Sequence, residues 1–138
     1  GVNTMANIDT IEGIGSSYAA TLKEAGIGSV EGLLEAACEK KGRKDLAAKT
    51  GISEKLLLKW VNMADLFRIN GVAGQYAELL ECAGVDTVAE LAQRNANSLH
   101  GMLEQANDKK NVVRKVPALS MVQNWVTEAK SLPRKVNY

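Results

Sequence analysis

Backbone amides gathered at the start of a helix are the strongest chemistry this sequence offers. Gly13-Ile14-Gly15 runs directly into Ser16-Ser17. In a glycine-hydrophobe-glycine turn of this kind both glycines can take positive φ at no steric cost, and the central isoleucine enters the core. The turn leaves the amides of about Gly15, Ser16 and Ser17 unpaired at the N-terminus of the next helix, where the helix dipole reinforces them. That is a site for one phosphate-sized anion; the opposite reading is a plain structural corner. Other chemistry is poorly supplied. His100 is the one histidine and has no cysteine or histidine neighbour, which argues against metal binding and histidine-based catalysis. The chain has no Gly-Lys-Ser/Thr loop, no nucleophile elbow and no Cys-x-x-Cys. No catalytic residue, metal or cofactor is expected, and the chain reads as a non-enzyme.

Charge supplies the second clue. There are 17 Lys+Arg against 16 Asp+Glu, a net charge of +1, so any phosphate binding must come from local clusters and not from bulk charge. Lys40, Lys41, Arg43 and Lys44 form one cluster; Lys109, Lys110, Arg114 and Lys115 form another. They fall at corresponding places in the two halves of the chain, and Lys23 follows the first turn by two helical turns. Paired basic loops on a near-neutral chain predict contacts to an anionic partner, double-stranded DNA being the expected one. The plainer reading is a pair of solvated loops. Arg134 and Lys135 form a third, weaker group.

These residues must be positioned by a duplicated scaffold. Residues 11–35 and 69–93 are identical at nine of 25 positions, with Ile14/Val72, Ile27/Val85 and Ser29/Thr87 as close swaps. The second turn reads Gly71-Val72-Ala73-Gly74. If position 73 requires positive φ, its alanine costs about 1 kcal/mol, so a shifted or distorted turn is expected there. Helical periodicity dominates throughout. Gly26 ends the helix after the first turn, and Ser29 caps one from Val30 through Ala37. The run Glu39–Lys44 breaks it, and a short helix follows near Asp45–Lys49. Ser53 then caps a long helix from Glu54 to about Leu66, with an apolar stripe at Leu56, Leu57, Trp60, Val61 and Ala64. In the second half, helices are expected at about Gln75–Cys82, from Thr87 to about Arg94 and from Asn97 or Ser98 through Leu103. The last starts at Pro117 and carries Met121, Val122, Trp125, Val126 and Ala129. Both tryptophans read as core. They recur 65 residues apart and the turns 58 apart, so the second half carries a net insertion of seven residues.

The expected fold is therefore all-α, two tandem helix-hairpin-helix (SAM-like) units of five helices packed as one compact protein. The first unit is residues 5–66 and the second 67–138. Residues 1–4 precede Met5 and read as an expression-tag remnant. A chain of 138 residues with 46% hydrophobic content buries a core without staples. Cys38 and Cys82 do not align between the halves and read as buried or half-buried small hydrophobes in a reducing, cytoplasmic compartment, a redox pair being the other reading. No segment has the length and apolarity of a membrane span or a signal peptide, so no membrane association is expected.

Residues 11–66 resemble the N-terminal domain of archaeal-type recombinases through Gly13-Ile14-Gly15, Ala25-Gly26-Ile27, Ser29-Val30-Glu31 and Thr50-Gly51-Ile52-Ser53. The C-terminal domain of the bacterial RNA polymerase alpha subunit has a related plan. From Met5 to Tyr138 the chain resembles a bacterial family of domains of unknown function built of two such units. Gly42–Ala47, Thr50–Ser53 and Trp60–Gly71 carry that match. The resemblance implies a compact helical fold and nucleic-acid contact through the first hairpin, and it implies no reaction. Repair glycosylases with such hairpins need a base pocket for which this chain has no room. The leading expectation is a non-enzymatic module that holds nucleic-acid backbone without sequence preference. The alternative is a protein-interaction or scaffold domain whose hairpins are only corners.

Overall fold

Four polar side chains start four helices. The Ser29 hydroxyl accepts from the Gly32 amide at 2.9 Å, Ser53 from Leu56 at 3.1 Å, Thr87 from Glu90 at 3.3 Å and Asn95 from Ser98 at 3.1 Å. The computed structural model describes residues 6–138, so the expected tag remnant and the start at Met5 lie outside the described residues. A short 3-10 helix, Ile8–Thr10, precedes α1 (Ser16–Glu24), α2 (Val30–Ala37), α3 (Lys40–Thr50) and α4 (Glu54–Leu66). Then come α5 (Gly74–Cys82), α6 (Val88–Ala92), α7 (Ala96–Lys110) and α8 (Leu119–Ser131). Gly26, Gly51 and Gly84 take left-handed conformations just past helix ends, as does Asn111 after α7. Among the described residues there is no strand beyond one isolated bridge between Asn7 and Ser29. Among the described residues no helix is long and apolar enough to cross a membrane.

In the first half α2 packs on α3 and α4; in the second, α6 and α7 pack on α8, and α5 packs on α7. α4 also meets α5, and one continuous set of buried side chains runs from Ile8 to Val136. The expected stripe on α4 understates its burial. Every residue from Trp60 to Phe67 is buried, because both halves of the chain close around this helix. It is the shared axis of the fold.

Three local expectations are corrected. The run Glu39–Lys44 does not break the chain; Glu39 is the N-cap of an eleven-residue α3, and Lys40–Lys44 are helical. Lysine and arginine are good helix formers, and Gly42 is needed where α3 crosses the end of α2, since a β-carbon there would collide with the Ala36 carbonyl. Among the described residues each half holds four α-helices and not five, with the 3-10 turn as a further element of the first half. Pro117 lies before the N-cap Ala118 and outside α8. The seven extra residues arise because α7 is longer than α3 and the loop into α8 is longer than the loop into α4, offset by a shorter α6.

Two buried charges tie distant segments together. Asp65, 1% exposed, holds the Arg68 guanidinium at 2.8 Å and accepts the Val88 amide at the start of α6, also at 2.8 Å. Arg68 in turn donates to the Pro133 carbonyl at 2.8 Å. Arg43, 3% exposed, donates to the carbonyls of Ala37 at 2.9 Å, Cys38 at 3.1 Å and Asn137 at 2.7 Å. The chain after α8 therefore lies against α2 and α3, fixed further by the Asn137 amide on the Cys38 carbonyl (2.9 Å), the buried Val136 and a 2.7 Å Lys135–Glu35 ion pair.

Candidate nucleic-acid interface

The two glycine turns have one geometry. In the first, the Ile14 amide donates to the Ile11 carbonyl at 3.1 Å, and Gly13 has φ +93°. In the second, the Val72 amide donates to the Ile69 carbonyl at 3.1 Å, and Gly71 has φ +84°. Ile14 and Val72 plug the core beneath them. Only the first glycine of each turn is left-handed. Gly15 is the extended N-cap of α1 (φ −79°, ψ −177°), and Ala73 is the extended N-cap of α5 (φ −144°, ψ 173°). The expected penalty at Ala73 is thus absent and the second turn is not distorted, because an extended backbone admits any residue.

Each turn rests on a tryptophan, a relation the sequence reading did not draw. A β-carbon at Gly13 would lie 3.3 Å from Trp60 Nε1, and one at Gly71 would lie 3.6 Å from Trp125 Nε1. Tyr18 meets Trp60 edge to face with ring centroids 4.9 Å apart, and Tyr76 meets Trp125 at 5.4 Å. The signal was present: tyrosine follows the turn glycine at the same distance in both copies, and each copy ends on a Trp-Val helix. Gly13→Ala is expected to cost about 1–2 kcal/mol through its left-handed backbone and the crowding of Trp60. Gly15→Ala, extended and facing open space, should stay within about 0.5 kcal/mol of the parent. Denaturant melts of the two variants check the contrast.

Among the described residues no acceptor meets the amides of Gly15, Ser16 and Ser17 at α1, or those of Ala73, Gly74 and Gln75 at α5. The surroundings of the two helix starts differ. At α5 the turn, Tyr76 and the loop residues Val113, Arg114 and Lys115 enclose a cleft of about 860 Å³. The Asn107 side chain fixes that loop, donating to the Val113 carbonyl at 3.0 Å and accepting its amide at 2.9 Å. The longer loop into α8 is what carries Arg114 and Lys115 to the turn. The first turn has Glu12 as its neighbour, and none of the expected cations is tied to it by a hydrogen bond or ion pair among the described residues.

The remaining cations are dispersed. Arg43 does not belong to a solvated basic loop; its guanidinium is committed to buried carbonyls. Lys40, Lys41 and Lys44 are exposed on α3, which packs mainly on α2 and α4, and Lys23 lies about 10 Å along α1 from its N-terminus. The two clusters are not structural equivalents, since one opens α3 and the other closes α7 and enters the next loop. Lys109 is exposed on the last turn of α7. Lys110 lines a second cleft of about 680 Å³ with Lys59, Glu12, Glu78 and Glu81. Partial burial there pushes the Glu78 carboxyl above its ordinary pKa, and Glu12 and Glu81 push it further. Burial likewise raises the Cys82 thiol, with help from Glu81 and Glu78, so it stays protonated and weakly nucleophilic at neutral pH. Cys82 is exposed and Cys38 half-buried; both are free thiols.

Of the expected site residues, then, the fold brings Arg114 and Lys115 to a glycine turn, and it is the second turn, not the first. Among the described residues no group of three or more His, Cys, Asp or Glu could hold a metal ion. No curated protein and no solved structure matches the chain. A family model described as a domain of unknown function, DUF4332, matches residues 12–132, nearly the whole chain with both turns and all eight helices, and the protein belongs to that family.

Proposed function

We propose that this protein is a non-enzymatic module that binds nucleic-acid backbone without sequence preference, with double-stranded DNA as its main partner. The two glycine turns act as tandem helix-hairpin-helix motifs, and the second makes the principal contact. The observation that carries this reading is the shared cleft at α5, which Gly74 and Gln75, whose amides meet no acceptor among the described residues, line together with Arg114 and Lys115. Amides at a helix start supply directional donors, and the two cations supply the charge that a near-neutral protein otherwise lacks. The amides of Gly15, Ser16 and Ser17 offer a weaker second contact beside Glu12, and exposed Lys23, Lys40, Lys41, Lys44 and Lys109 add screened attraction only.

Fluorescence anisotropy of a labelled duplex, titrated at low and near-physiological salt, tests the proposal. Micromolar binding is expected at low salt, weakening as salt rises by a log–log slope of about −0.9 per phosphate neutralised. Arg114→Glu with Lys115→Glu should weaken binding at least tenfold, whereas Lys40→Glu with Lys41→Glu should weaken it only a few-fold. No binding at low salt would make both turns architectural corners and direct attention to a protein partner.

A further inference from the structure

A small cleft of about 260 Å³ lies between α4 and the segment that joins α5 to α6. α4 supplies Lys55, Leu58, Lys59 and Asn62, whose spacing places them on one helix face. Glu81 near the end of α5 and Asp86 in the following loop supply the other side. One side thus carries two cations and the other two carboxylates. Among the described residues none of these four side chains makes an ion pair or a hydrogen bond. Glu81 and Asp86 are half-buried. Burial pushes the Asp86 carboxyl above its ordinary pKa, and Glu90 and Glu81 push it further against the pull of Arg94.

Asn62 is only 8% exposed, and the cleft it lines holds no partner for it. Its Oδ1 is sealed from solvent without a hydrogen bond. Its amide nitrogen is the end that solvent reaches, and it too has no partner among the described residues. Buried polar side chains are almost always paired in a folded protein. An asparagine with both ends free, on the wall of a cleft, is placed for a group that the chain does not supply. Leu58, half-buried beside it, adds an apolar surface.

The charge pattern selects among ligands. A simple anion is repelled by Glu81 and Asp86, and a simple cation by Lys55 and Lys59. A molecule with an ammonium and a carboxylate on neighbouring atoms meets an opposite charge on each side. The space is below the range of about 300–1,000 Å³ that suits drug-sized ligands, so the ligand must be small. We infer that this cleft binds a free α-amino acid with a compact apolar side chain. The ammonium lies towards Glu81 and Asp86, and the carboxylate towards Lys55 and Lys59 with the Asn62 amide nitrogen as a neutral donor. The side chain rests on Leu58. The site is separate from the proposed DNA contact, since none of these residues lines the cleft at the second turn.

Titration of the isotope-labelled protein with L-leucine, followed by two-dimensional NMR, tests the inference. The backbone amides of Leu58 and Asp86 and the side-chain amide of Asn62 should shift saturably, with a Kd below about 1 mM. Isoamylamine is leucine without its carboxylate, and isocaproate is leucine without its ammonium; each should bind at least tenfold more weakly. Asp86→Asn and Lys59→Gln should each weaken leucine binding at least tenfold, whereas Glu31→Gln on α2 should leave it unchanged. The three ligands are compared on the unaltered protein, so that result stands whether or not a variant folds. Equal binding of isoamylamine or of isocaproate would overturn the inference by showing a plain ion site. Absence of saturable shifts at about 10 mM leucine would overturn it as well.

Discussion

Asp65→Ala should lower stability by about 3–5 kcal/mol, the largest single-residue effect expected in this fold. The carboxylate sits in the core of the shared helix, and each oxygen has a partner: Arg68 at 2.8 Å and the Val88 amide at 2.8 Å. Removing it leaves a largely buried guanidinium without its counter-charge, held only by the Pro133 carbonyl, and a buried amide unsatisfied. It also removes the anchor of α6, whose first amide otherwise has no intrahelical partner. For a protein of this size the loss corresponds to a fall in Tm of roughly 10–20 °C. Asp65→Ala combined with Arg68→Ala should cost clearly less than the sum of the two single changes, because the second change removes the orphaned cation. Urea melts of the three variants give the coupling directly. Additive effects would show that the pair does not act as a unit.

Arg43→Ala should cost about 2–4 kcal/mol, and its effect should be local in origin. One guanidinium joins the end of α2 to the chain after α8, bonding the Ala37, Cys38 and Asn137 carbonyls. A planar fork with five donors spans carbonyls in several directions, whereas a single ammonium does not, so Arg43→Lys should recover less than half of the loss. Hydrogen exchange should show the amide of Asn137, which donates to Cys38, losing protection before those of α4. Uniform loss of protection across the chain would contradict this account. Because Arg43 is spent on structure, charge reversal at this site reports on folding and not on DNA contact.

The sequence carried its local rules faithfully. Ser29, Ser53 and Thr87 start helices where a side-chain oxygen precedes an apolar run, and Gly26 and Gly84 end them where a left-handed residue is needed. The duplication was legible because identity at Gly13/Gly71, Tyr18/Tyr76 and Leu22/Leu80 marks positions with the same packing duty. The error at Lys40–Lys44 has a physical origin: a run of like charge suggests a loop, but lysine and arginine favour helix, and Leu46 with Arg43 gives that helix a buried face. The misjudged Ala73 arose from assigning a left-handed backbone to both ends of the turn when only Gly13 and Gly71 adopt it.

Composition, spacing and periodicity by themselves determined that this is an all-α chain with two copies of one turn, capped helices and no segment fit to cross a membrane. These are properties of neighbours within about one helical turn, where side-chain capping and glycine φ act. What only the tertiary structure decided is which charges meet which turn. Arg43 and Lys44 are adjacent in sequence, yet one is buried on carbonyls and the other is in solvent. Lys110 and Arg114 are four residues apart, yet they line different clefts. A basic residue's partners lie many residues away, and the helix face or loop that carries it is set by how α3, α7 and the long loop into α8 pack around α4 and α5. Sequence proximity therefore fixes a charge's presence, and packing fixes its use.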